Sequence, residues 1–247
     1  YFNSSIKVAN WIKNMQNKDG SFIPFLDKDG KKKSTLDTWS TQSGSFLSKV
    51  SIGFFNLYDT TKNKEFRDVG LKSLENSIKF QNDDGRFRTF QNFDSTNFHP
   101  HSYSSEALVA AGLFLNNQQY LEAAAKATKF VLSNLGPQGE VPRHFMYGKF
   151  NYNERSDVIA QNLRLAVILA SKGLVTMNNE IKINYKRLLR YQVSDGEHKG
   201  SFIFGKKSDG SIAENPNSWC TMFALQSLML YKDLREGKFD FDWRFMV

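Results

Sequence analysis

The stretch Ile78-Lys79-Phe80-Gln81-Asn82-Asp83-Asp84-Gly85-Arg86-Phe87 decides the fold, because it recurs. An earlier copy reads Trp11-Ile12-Lys13-Asn14-Met15-Gln16-Asn17-Lys18-Asp19-Gly20-Ser21-Phe22, and a later one Leu189-Arg190-Tyr191-Gln192-Val193-Ser194-Asp195-Gly196. A degenerate copy runs from Phe130 to Gly139, with Leu135 in the place of the glutamine. In every copy that position precedes a glycine by four residues. The positions 16, 81, 135 and 192 lie 65, 54 and 57 residues apart. Self-similarity at such a period marks a repeat architecture.

Each copy closes a helix. Ile6, Ala9, Trp11, Ile12 and Met15 recur at helical spacing, as do Phe66, Val69, Leu71, Leu74 and Ile78, and Leu121, Ala124, Ala125, Thr128 and Val131. The Asp-Gly that follows is stop chemistry, since glycine takes the left-handed conformation past a last turn. Phe22, Phe87 and Phe202 then fold back onto the helix pair. Between these helices lie four more apolar segments, Thr41–Tyr58, Ser104–Leu115, Val158–Ala170 and Thr221–Leu230, rich in small residues that permit close packing. Helices apolar on most faces are buried ones. An inner helix therefore alternates with an outer, more charged one. The inner helices open at Trp39, Tyr103, Asp157 and Trp219, which fall 19, 18, 18 and 23 residues after Gly20, Gly85, Gly139 and Gly196.

Composition sets the outer bounds. The chain has 247 residues, 40% hydrophobic and 23% charged, which excludes collagen-like, disordered and membrane-embedded classes. No apolar run approaches the roughly 18–20 residues of a membrane helix. The single cysteine, Cys220, excludes an internal disulfide and a cysteine-rich zinc site, and is read as a buried, inert thiol. The net charge of +8 favours an acidic partner. The only dense basic run, Lys31–Lys33, reads as a solvated loop, and no nucleic-acid-binding motif is present. No cofactor is expected. The oligomeric state stays open, as does the compartment, with the cytoplasm favoured.

The Gln-x-x-Asp-Gly-x-Phe repeat after an outer helix resembles that of the α/α toroids. It is similar to the motif of terpenoid cyclases and prenyltransferase β subunits, and the same architecture serves six-hairpin glycosidases, polysaccharide lyases and uronyl epimerases. The segments His99–Leu108, Arg155–Gln161 and Asn217–Gln226 resemble those of toroid proteins encoded with bacterial exopolysaccharide pathways. The resemblance implies an all-α toroid of about four helical hairpins, one domain over residues 1–247, or the C-terminal part of a longer toroid. Familiar closed toroids carry five to seven hairpins.

In a toroid the loops entering the inner helices converge on one mouth, the concave site to expect first. That mouth collects Asp37 and Trp39; His99, His101, Tyr103 and Glu106; Arg143 and His144; Arg155, Asp157 and Gln161; and Asn217 and Trp219. Three of the four histidines and two of the four tryptophans fall in this set. His99, His101 and Tyr103 are candidate bases, and Glu106 and Asp157 candidate carboxylates. Arg143, His144 and Arg155 suit an anionic ligand, guanidinium forming bidentate pairs with carboxylates. Trp39 and Trp219 suit sugar stacking; Asp37, Gln161 and Asn217 complete the polar lining. Bland roles stand beside these. Ser156 or Asp157 is a natural N-cap, Glu106 complements a helix dipole, and His99-Pro100-His101 packs a loop before its helix. His-x-His has no partner of metal-ligand spacing, and no metal is expected.

Three functions fit. The first is an enzyme acting on an acidic poly- or oligosaccharide, by elimination or epimerisation through a base with an arginine on the uronate, or by hydrolysis through two carboxylates. The second is an isoprenoid enzyme, although Asp83-Asp84 belongs to the helix stop, Asp240-Phe241-Asp242 lies at the tail, and no histidine follows Cys220. The third is a toroid that binds a polysaccharide or protein without catalysis.

Overall fold

The computed structural model describes residues 1–35, 38–90 and 93–246. Among them are eight α-helices: α1 (Phe2–Lys13), α2 (Ser51–Thr61), α3 (Lys64–Ile78), α4 (Phe98–Leu115), α5 (Gln118–Ser133), α6 (Ser156–Ser171), α7 (Asn178–Leu189) and α8 (Ser218–Arg235). A 3₁₀ segment, Ser45–Val50, leads into α2. The alternation of inner and outer helices follows the apolar pattern. α4 and α6 are buried almost end to end, whereas α3, α5 and α7 bury one stripe each. The inner segments pack in succession, Ser45–Val50 on α4, α4 on α6 and α6 on α8, and α3, α5 and α7 back onto α2, α4 and α6.

Through its glutamine the repeat motif joins α1 to α3 and α3 to α5. The Gln16 side chain amide donates to the Gly20 carbonyl of its own turn at 3.2 Å and to the Val69 carbonyl of α3 at 2.9 Å. Gln81 does the same to Gly85 and to Ala123 of α5, at 3.0 and 2.8 Å. The glycine is required twice over at Gly85. Its φ is +101°, and a Cβ there would stand 2.6 Å from the Lys126 carbonyl oxygen. In the last copy the expected glycine is displaced. Gln192 pairs with Phe202 and donates to Gly200, not Gly196, so four extra residues sit inside this turn. Counted from Gly200, Trp219 falls 19 residues on, in line with the other copies.

The chain is not all-α. Three small antiparallel sheets occupy the outer-to-inner connections: β1 (Phe25–Leu26) with β2 (Lys32–Lys33); β3 (Ser95–Asn97), β4 (His144–Met146) and β5 (Lys149–Asn151); and β6 (Ile203–Lys206) with β7 (Ile212–Pro216). Asn97 lies opposite His144, and His144 opposite Asn151, which ties the entry to α4 to the entry to α6. The inner-to-outer connections are short, residues 62–63, 116–117 and 172–177. All the elaboration therefore lies at one end of the helices, the end that carries the candidate site.

Two helix starts differ from the sequence expectation. α4 begins at Phe98 rather than near Ser104, capped by the Asn97 side chain, which accepts from the His99 N–H at 3.1 Å. Pro100 fits because a first-turn residue has no intrahelical N–H bond to lose. His99-Pro100-His101 is thus helix, not loop. α6 begins at Ser156 with no side-chain cap. Ser156 instead donates its hydroxyl to the Ile203 carbonyl at 2.6 Å, fastening β6 to the helix start.

Candidate functional site

Two inner helices present matched stripes. On α4, His99, Tyr103 and Glu106 stand at i, i+4 and i+7; on α6, Asp157, Gln161 and Arg164 do the same. Residues so spaced share one helix face, and the two faces meet. The Gln161 side chain bridges them, its Oε1 lying 2.7 Å from His99 Nδ1 and its Nε2 donating to Glu106 Oε1 at 3.2 Å. Asp157 Oδ2 lies 3.4 Å from the same His99 nitrogen. Arg155 donates to both oxygens of Asp157, at 3.0 and 2.5 Å. At the other end Glu106 pairs with Arg164 at 2.5 Å and with Lys49 at 2.8 Å. Arg164 also donates to Gln226 of α8. A continuous polar line thus runs from Arg155 to Lys49 between the inner segments.

Burial sets the electrostatics. Glu106 is fully buried, which opposes ionisation, but the Arg164 and Lys49 charges outweigh this and hold its carboxyl below the usual range. Burial pushes the Lys49 ammonium below its ordinary value, with Glu106 opposing. Burial also lowers His99, and Asp157 only partly restores it. Tyr103 is raised well above a free phenol by burial and then by the Glu106 and Asp157 charges. Its hydroxyl is therefore held neutral near pH 7.

Beside this line lies a cavity of about 620 Å³ between the Ser45–Val50/α2 segment and α8. Trp39, Phe46, Lys49, Tyr103, Trp219 and Met246 contribute to its wall. Lys49 Nζ sits 4.2 Å from the centroid of the Tyr103 ring. Tyr103 and Trp39 in turn lie 4.5 and 5.7 Å, centroid to centroid, from the His99 ring. Trp219 packs edge-on against Phe223 and is 47% exposed, so one face of the indole is open.

The other expected residues part company with this centre. His101, two positions from His99, points to the opposite side of α4. Its Nδ1 accepts from the Phe87 N–H at 3.1 Å and its Nε2 meets the Ala127 carbonyl at 3.2 Å. Both ring nitrogens are committed to backbone, which makes His101 a packing residue rather than a base. Asn217 caps α8 by accepting from the Cys220 N–H at 2.9 Å. Arg143 donates to the Lys206 carbonyl at 2.8 Å and lies 5.9 Å from the Phe204 ring, which Arg155 also faces, at 4.7 Å. His144 is half-buried in the small sheet. Asp37 lies outside the described residues. Cys220 is buried as expected, its thiol pushed up to about 11 by burial.

Lys49 and Arg164 were missed. Each is the lone charge inside an apolar inner segment, Phe46–Phe55 and Val158–Ala170. A charge on a helix buried all round needs a partner, and that signal was legible. Among the described residues no group of three or more His, Cys, Asp or Glu side chains gathers as a metal site.

The architecture is that of the six-hairpin glycosidase-like α/α toroids. No protein-family model matches the chain, and no curated protein sequence matches it. Solved structures do match. One is the unsaturated glucuronyl hydrolase of Bacillus sp. GL1, described as responsible for the degradation of glycosaminoglycan, with a TM-score of 0.72 and 15% identity over 94% of this chain and 68% of that one. A sugar epimerase from a ruminal bacterium gives 0.76 at 10% identity, over 96% and 66%. The cellobiose 2-epimerase of Bacillus thermoamylovorans gives 0.69 at 11%, over 94% and 66%. The chain thus spans about two thirds of the length of each. No helix among the described residues is long and apolar enough to cross a membrane.

Proposed function

We propose that this chain is a carbohydrate-active enzyme, built as one domain of four helical hairpins, which moves a proton at a carbon of an acidic sugar. The observation that carries this reading is the aromatic-walled cavity set against the His99–Asp157 pair. Trp39, Tyr103 and Trp219 offer flat apolar faces of the kind that sugar rings stack on, and His99 lies behind Tyr103 with its Nδ1 side held by Gln161 and Asp157. The enzymes with similar folds act on sugars, which supports the substrate class.

The cations at the site favour an acidic substrate. Lys49, Arg155 and Arg164 gather around Glu106 and Asp157 in a largely buried site. A ligand carboxylate pairs with such cations, and once they neutralise its charge the neighbouring C–H becomes acidic enough for removal by an imidazole. Hydrolysis by a carboxylate pair fits less well. Glu106 is held ionised by two cations, which is the wrong state for a general acid.

The test is incubation with uronate-containing oligosaccharides in D₂O, followed by NMR and ultraviolet absorbance. Epimerisation places deuterium on a ring carbon, and elimination creates an absorbing double bond. New reducing ends with neither signal would replace this reading by hydrolysis. No binding by any sugar would end the carbohydrate assignment.

A further inference from the structure

The polar line fixes more than the position of His99. Lys49 and Arg164 keep Glu106 ionised, and an ionised carboxylate only accepts hydrogen bonds. The end of the Gln161 amide that meets Glu106 is therefore the NH₂ end, and the end that meets His99 is the carbonyl oxygen. A carbonyl oxygen also only accepts. The second neighbour of His99 Nδ1 is Asp157 Oδ2, which already accepts from Arg155. Two acceptors converge on one nitrogen, and a bare lone pair there would be repelled by both.

We infer that Gln161 and Glu106 are positioning residues that hold His99 as its Nδ1–H tautomer, leaving Nε2 as the unprotonated, basic nitrogen. Among the described residues the charged and titratable groups about the ring are Asp157, Arg155, Glu106 and Tyr103, and its depressed basicity keeps it neutral near pH 7. His101 supplies the contrast on the same helix. The Phe87 N–H occupies its Nδ1, so its proton sits on Nε2 and is donated to Ala127. Histidines two residues apart thus carry opposite tautomers, each set by what the facing segment offers. The assignment rests on the proposed use of His99 as a base, because only that role makes a free Nε2 matter.

The experiment is long-range ¹H–¹⁵N NMR of the imidazoles at pH 7.5, with His99 assigned by its disappearance in His99→Asn. The expected wild-type spectrum has His99 in the Nδ1–H pattern and His101 in the Nε2–H pattern. In Gln161→Met, of similar length but without an acceptor, the His99 ratio shifts toward Nε2–H by about tenfold, the effect of losing one hydrogen bond, while His101 is unchanged. A wild-type His99 in the Nε2–H form overturns the inference without any variant, and so does a Gln161→Met spectrum identical to wild type. The measurement needs no sugar. An Nδ1–H His99 in a protein that binds no carbohydrate supports the relay and refutes the substrate assignment alone.

Discussion

The backbone N–H of Phe87 donates to Nδ1 of His101 at 3.1 Å. Phe87 ends the repeat turn that follows α3, and His101 lies in the first turns of the inner helix α4, so this bond pins a turn to the ring it encircles. The imidazole also bonds Ala127 of α5, and it cannot accept a second proton without losing the Phe87 bond. Burial accordingly lowers its pKa from 6.5 to about 4.

That shift sets an acid sensitivity. The unfolded chain binds a proton at His101 below pH 6.5, while the folded chain resists until about pH 4. Stability is therefore full above pH 6.5 and falls as the pH drops through this window, by about 3 kcal/mol from this residue. Urea titrations from pH 7 to pH 4 measure it. The slope flattens in His101→Gln, and an equal slope in that variant would remove His101 as its source.

Arg164 is almost wholly buried and pairs with a fully buried Glu106. Arg164→Met strands that carboxylate with Lys49 as its main counter-charge. The expected loss is about 3–5 kcal/mol in unfolding free energy, the range for breaking one side of a buried pair. The triple variant Lys49→Met/Arg164→Met/Glu106→Leu recovers part of it, because the carboxylate and both of its cations are then gone together. Chemical denaturation of both proteins decides the point.

Glycines of the repeat differ in what they tolerate. Gly85→Ala meets both the left-handed backbone and the Lys126 carbonyl, for a loss of about 3 kcal/mol. Gly196→Ala has a φ of +73° but open space around it, for a loss of about 1 kcal/mol. Equal losses at the two sites would contradict the close approach of Gly85 to the Lys126 carbonyl.

Trp219 borders the cavity with one face open. Trp219→Ala weakens binding of uronate-containing oligosaccharides by about tenfold, as a lost stacking surface of roughly 1–1.5 kcal/mol requires, and leaves the melting temperature nearly unchanged. Calorimetric titration against the wild type provides the comparison. Unchanged affinity would place the sugar elsewhere.

The repeat, the helix alternation and the site-bearing end of the molecule were all legible in the sequence. Each rests on local rules: 3.6-residue periodicity, left-handed glycine after a last turn, and one recurring four-residue spacing to glycine from Gln16, Gln81 and Leu135. Those same rules led to Gly196, since a four-residue insertion leaves the local signature intact and only the pairing of Gln192 with Phe202 exposes it. They also left His99-Pro100-His101 outside α4, because a proline is acceptable in a first turn and its sequence does not say on which side of the helix start it stands. What only tertiary structure decided is which polar residues meet. His99 and His101 look alike in sequence, yet a rotation of about 200° along the helix sends one to Gln161 and Asp157 and the other to Phe87 and Ala127. Lys49, Glu106 and Arg164 come from three separate segments and become one site only where the inner helices close on each other, since their charges are tolerable there only as a set.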